Sequence, residues 1–151
     1  SLCMPLFTHL LGIKGTLLIP IYLAVLTASF LLPTGVAFIA ALFTPALNYF
    51  ALGMPVFVPF PAAQVLTFEL LVLALTATLL SKTRMPLVAS LALSVFLARL
   101  APLVLIPFME KLTTQWYMTK LTAGAPGIAF NIIAALLIIT GAQQLLSREG
   151  K

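Results

Sequence analysis

Between Lys14 and Glu69 no residue carries a charge. A chain in water cannot leave so long a stretch uncharged and still build a solvated surface, so this stretch has to be buried in protein or in lipid. The remainder is built alike. Hydrophobic residues make up 62% of the chain and charged residues 7%, against roughly 25% charged in a soluble domain. The class that follows is a polytopic membrane protein. Its spans have to be helices, because an open strand in hydrocarbon leaves its amides unpaired.

The apolar runs and their breaks predict spans at 17–32, 36–52, 62–81, 86–109 and 125–146. The breaks are Pro33-Thr34-Gly35, Gly53-Met54-Pro55, Lys82-Thr83-Arg84, Glu110-Lys111 and the tail from Ser147 to Lys151. Each run is near the ~20 residues a bilayer requires. Residues 1–11 are too short to cross and lack the basic start of a signal peptide. They are expected to be the end of a partial first helix, truncated at its N-terminus. No linker or repeat divides the chain. The expected fold is an all-α membrane protein: one compact bundle of six transmembrane helices over residues 1–151.

The short loops orient the bundle. With the partial helix ending outside, Lys82, Arg84, Arg148 and Lys151 fall inside, and Lys14, Lys111 and Lys120 fall outside. The 55–61 loop and the 110–124 connection then both lie on the outer side, and the chain belongs in the plasma membrane as a multi-pass protein.

Several chemistries are excluded. The basic residues are scattered singly and form no stripe for nucleic acid. One His, one Cys and three acids, with no Asp, make neither a metal-ligand cluster nor a Ser/His/Asp set. No Gly-rich phosphate loop is present. Glu69 as the general base of an intramembrane enzyme lacks the partners such a site needs. The expectation is a protein that is not an enzyme and carries no cofactor.

The buried polar residues gather on one side. At about 1.5 Å per helical residue, Glu69 sits about 10 Å below the outer end of its span, Arg99 about 15 Å, Asn131 about 9 Å and Asn48 about 6 Å. Gln64 is nearer the rim. The middle of the inner half offers only hydroxyls such as Thr76, Thr78 and Thr140. A conduction pathway needs polar groups through the whole thickness, whereas a cluster on one side is the layout of a binding pocket open to one face. Two readings of Glu69 and Arg99 stand: a pair that only neutralises itself in lipid, or a pair that also touches ligand. Asn48 and Asn131 either bond between helices or line the pocket. His9 is a helix-end residue or a ligand contact. Trp116 and Tyr117 belong to an interfacial belt or to a lid, and Met54 stands at the pocket rim.

In order along the chain, His9-Leu10-Leu11-Gly12-Ile13-Lys14-Gly15, Ile19-Pro20-Ile21-Tyr22-Leu23-Ala24-Val25, Pro45, Gly53-Met54-Pro55-Val56, Glu69-Leu70-Leu71 and Pro126-Gly127-Ile128 resemble the motifs of the S components. These are the substrate-binding membrane subunits of energy-coupling factor (ECF) vitamin transporters. Three departures are visible. Tyr22 stands where that pattern has His, Ala24 where it has Pro, and Val56 where it has a second Pro, so the polar contacts around Tyr22 are expected to differ. The resemblance implies a subunit that captures a vitamin or vitamin precursor from outside. It implies as partners a transmembrane coupling subunit and two ATPase subunits that supply the energy. The alternative is a structural or assembly subunit of a membrane complex that binds no small molecule. The candidate contacts are Glu69, Arg99, Asn48, Asn131, Gln64, Tyr22, His9, Met54 and Trp116.

Overall fold

The computed structural model describes residues 20–52, 62–108 and 114–149. All regular structure among them is helical. Helix α1 is Pro20–Leu31 and α2 is Thr34–Leu52. Helix α3 is Ala62–Ser81 and α4 is Leu87–Leu100, which runs on as a 3-10 segment, Ala101–Phe108. Helix α5 is Thr114–Ala123 and α6 is Ala125–Glu149.

Proline sets most of these boundaries. Pro20 opens α1, where its missing N–H is not needed, and α1 ends just before Pro33, as the residue preceding a proline is disfavoured in helix. The Pro33 carbonyl then accepts from the amides of Val36 (2.9 Å) and Ala37 (3.3 Å). Those bonds start α2 at Thr34, two residues before the predicted start of that span. Helix α3 has the boundaries its sequence predicts. It closes through i→i+3 bonds, Lys82 N–H to Leu79 O and Thr83 N–H to Leu80 O, while the Thr83 hydroxyl donates to Leu80 O at 2.7 Å. These groups satisfy carbonyls that a helix end leaves bare.

Two stretches differ from expectation. The span predicted as one helix over 86–109 is α-helical only to Leu100 and then tightens into the 3-10 form. Pro102 and Pro107 supply no N–H for an α-helical ladder, and the tighter winding follows. The connection predicted over 110–124 contains a helix of its own, α5.

The core is made by repeats of three and four. Tyr22, Val25 and Leu26 of α1 pack with Leu70, Leu73, Ala74 and Ala77 of α3, with Leu91, Val95 and Ala98 of α4, and with Ala135 and Ile139 of α6. The spacing 70, 73, 74, 77 is one helix face, and alanines within it let neighbouring helices approach closely. Helices α1 and α3 lie innermost. Helix α3 touches α1, α2 and α4, and α1 touches α2, α3 and α6. The short α1–α2 and α3–α4 connections make each of these pairs antiparallel.

The exterior is apolar as well. Ile39, Phe43, Phe50, Leu79, Val88, Phe96, Ile133 and Leu137 are exposed, far more apolar surface than a soluble monomer leaves bare. Ala62–Ser81, Leu87–Phe108 and Ala125–Leu145 are each long and apolar enough to cross a membrane. Ile21–Leu31 and Thr34–Phe50 are apolar but shorter. Residues 1–11, the sixth expected span, lie outside the described residues.

Two measurements check this arrangement. Cysteines at Thr83 and Thr114, each in a Cys3→Ser background, should react with a membrane-impermeant maleimide from opposite faces of a vesicle. Reaction of both from one face would sink the arrangement. Ala74→Leu overpacks the α3 core face and should cost about 1–3 kcal/mol, read as a lowered Tm in detergent.

Candidate functional site

Tyr22 sits near the start of α1, Glu69 in the first half of α3 and Arg99 at the end of α4. The antiparallel hairpins bring all three to the same level. Glu69 is fully buried, Tyr22 is 1% exposed and Arg99 3%. The Tyr22 hydroxyl donates to Glu69 Oε2. Arg99 Nη1 approaches the same oxygen at 3.8 Å, and its guanidinium carbon stands 4.8 Å from the centre of the Tyr22 ring. One carboxylate oxygen is thus shared by a hydroxyl from α1 and a cation from α4, and the same phenol offers that cation its ring face. The pair is neutral overall, which is what hydrocarbon demands of ionised groups.

Several buried polar groups have no hydrogen-bond partner among the described residues. Arg99 Nε and Nη2 and the Asn48 side-chain oxygen are buried without a hydrogen-bond partner among the described residues. The same holds for the Tyr117 hydroxyl. Each such group carries a desolvation cost of about 1–3 kcal/mol until it is paired.

The sequence offers Tyr117 only as a belt or lid residue, not as a ligand contact. It lies on α5 and is 2% exposed. Burial first, and then the charge of Glu69, pushes its phenol above the usual tyrosine range, with Arg99 opposing. Helix α5 therefore carries a polar tip to within electrostatic reach of the pair. The signal that would have found it is a phenol, rather than an indole or phenyl ring, in an otherwise belt-like sequence.

The other candidates divide. Asn48 and Asn131 are both buried. Each donates to a carbonyl of its own helix four residues back, Asn48 to Thr44 O and Asn131 to Gly127 O, both at 2.8 Å. That bond holds each amide against its helix, with its oxygen on the far side from the donor. Gln64 is exposed near the start of α3. Trp116 falls on α5 next to Tyr117. His9 and Met54 lie outside the described residues.

In the opposite half, Thr76 donates to Val72 O at 2.8 Å and Thr140 to Leu136 O at 2.7 Å. These hydroxyls serve their own helices. The Thr78 hydroxyl is buried without a partner among the described residues. No group of His, Cys, Asp and Glu side chains among the described residues is fit to hold a metal ion.

An open, largely apolar groove of about 560 Å³ runs along α4 from Met85, before that helix, to Arg99, with Leu121 of α5 and Ile128 of α6 also lining it. Arg99 is the one residue of the Tyr22–Glu69–Arg99 cluster that reaches it.

No protein family matches the chain, and neither does any curated protein or solved structure.

Tyr22→Phe removes the hydroxyl donor of the buried carboxylate and should cost about 1–3 kcal/mol. Arg99→Met strands the Glu69 charge and should cost more, about 3–5 kcal/mol. Thermal unfolding in detergent orders the two variants. A Tyr22→Phe protein as stable as the parent, or an Arg99→Met protein more stable than Tyr22→Phe, contradicts the charge arrangement described here.

Proposed function

We propose that this chain is the substrate-binding S component of an ECF-type transporter, a six-span bundle in the plasma membrane that captures a vitamin or vitamin precursor from outside. The observation that carries the reading is the buried Tyr22–Glu69–Arg99 cluster, in which two nitrogens of Arg99 have no acceptor among the described residues. Such groups are costly when empty and become contacts when a ligand supplies their partners. The cluster lies at one end of the helices, near the start of α1 and at the end of α4. The ordered motifs from His9 to Ile128 support the same reading.

In this role the chain binds and a separate module works. A coupling subunit and two ATPase subunits supply the energy, and an apolar exterior lets the whole body move against lipid. On this reading Glu69 holds Tyr22 and Arg99 in place, and the buried unpaired groups of Arg99, Asn48 and Tyr117 meet the ligand once the side chains that cover them give way.

A second reading, a structural subunit that binds nothing, draws on one fact: Tyr22 and Arg99 already answer Glu69. Ligand binding separates the two. Native mass spectrometry or thermal shift of the full chain against vitamins and their precursors should find at least one stabilising compound. Glu69→Gln and Arg99→Met should each weaken its binding at least tenfold, about 1.4 kcal/mol. A folded parent chain that no vitamin or precursor stabilises would favour the structural subunit.

A further inference from the structure

The groove along α4 has two unlike ends. Met85, Ala89, Ala92, Leu93 and Phe96 line it, at a spacing that puts them on one helix face. Met85 and Phe96 are 44% and 59% exposed, and the short alanines between them make that face concave. At one end Arg99 is buried and balanced by Glu69. At the other, Met85 follows the turn Lys82-Thr83-Arg84, whose residues are all exposed. No acid among the described residues pairs with Lys82 or Arg84. Two exposed cations therefore stand at the mouth of an apolar slot. Helix α4 also begins here, after Pro86, which gives no side-chain cap, and the positive end of its dipole adds to the same charge.

The slot has the length of one leaflet. Over residues 85–96 a helix rises about 16 Å, and half of a ~30 Å hydrocarbon core is about 15 Å. A volume of about 560 Å³ spread along that length is narrower than a helix with its side chains, ~10–12 Å across. A chain of methylenes enters such a slot, whereas a helix of a second copy or of another subunit rests across its rim. The exposed apolar face of α2 has no such match. Ile39, Phe43 and Phe50 are exposed there, but the turn that opens α2, Leu32-Pro33-Thr34-Gly35, carries no charge.

We propose that the groove holds one acyl chain of an anionic phospholipid from the leaflet where the α3–α4 turn emerges, with its phosphate on Lys82 and Arg84. Basic residues beside a membrane span attract anionic headgroups. The long stems of Lys and Arg lie along apolar surface and carry their charge out to headgroup level. A zwitterionic lipid fills the slot equally well but brings no net charge to the turn. The lipid binds the outside of the bundle, so its site stands whether or not the chain carries a vitamin.

Native mass spectrometry of the full chain reads this directly. The purified protein is given equimolar phosphatidylglycerol and phosphatidylcholine with the same acyl chains, and the lipid it retains is measured. Phosphatidylglycerol should be retained over phosphatidylcholine by about fivefold or more. Lys82→Gln together with Arg84→Gln should erase that preference. Ala89→Phe fills the slot and should lower retention of both lipids. A phosphatidylglycerol with a diazirine in its acyl chain locates the site on the parent chain, so the result survives a variant that does not fold. Label concentrated in residues 85–96 supports the assignment, and label spread evenly over α2, α4 and α6 overturns it. Equal retention of the two lipids, or a preference that outlasts the loss of both charges, also overturns it, as does Ala89→Phe retaining lipid like the parent. A dimer whose formation excludes the lipid would give the groove to a second copy instead.

Discussion

A carboxylate in hydrocarbon has to be answered by donors that reach it from other helices. In this chain that requirement ties three helices together. Glu69 comes from α3, its hydroxyl donor Tyr22 from α1 and its cation Arg99 from α4. Bonds of this kind set how the helices slide against one another. If α1 moved by a turn, about 5.4 Å, Tyr22 would leave the carboxylate. If α4 moved by a turn, the guanidinium would face apolar walls. The alanine-rich faces allow close packing at many offsets, whereas the ion cluster selects one. The apolar core described around Leu70, Leu73, Ala74 and Ala77 is then the consequence of a register that the polar residues choose.

What was legible in the sequence follows the same division. Helix α3 was read with its observed boundaries, because a charged Lys82-Thr83-Arg84 turn ends an uninterrupted apolar run. The 3-10 segment was hidden inside a run that hydropathy reads as continuous. Only the N–H groups missing at Pro102 and Pro107 mark it, and apolarity does not register them. Helix α5 was hidden for the opposite reason. Its threonines, glutamine and lysine resemble a loop, and it presents no apolar stripe long enough to read as an amphipathic helix.

The site residues divide in the same way. Glu69 and Arg99 were legible as a buried pair, because unpaired charge is intolerable in lipid. Tyr22 was singled out only by its place in a motif, and nothing in its local sequence says that its hydroxyl meets a carboxylate on a helix far along the chain. Tyr117 and Trp116 are neighbours of similar character. That Tyr117 turns inward depends on the packing of α5 and not on composition. Asn48 and Asn131 are buried, yet each spends its amide N–H on its own helix, a local bond that competes with any contact between helices.

The pair read from the sequence as one unit is, in three dimensions, two residues with different duties. Glu69 is held from two sides on a single oxygen, so its contribution is to fix α1, α3 and α4 against one another. Arg99 meets that oxygen at 3.8 Å, too long for a hydrogen bond, and its Nε and Nη2 are buried without an acceptor among the described residues. A purely structural ion pair in lipid gains by closing its hydrogen bonds, since every unfilled N–H there is a cost. The guanidinium here is carried into the bundle, charge-balanced, cradled on the Tyr22 ring and left incompletely bonded. That combination carries a desolvation cost that a fully hydrogen-bonded ion pair would not. The two members of the pair are therefore bonded unequally: Glu69 accepts the Tyr22 hydroxyl, and Arg99 keeps two buried nitrogens without an acceptor among the described residues.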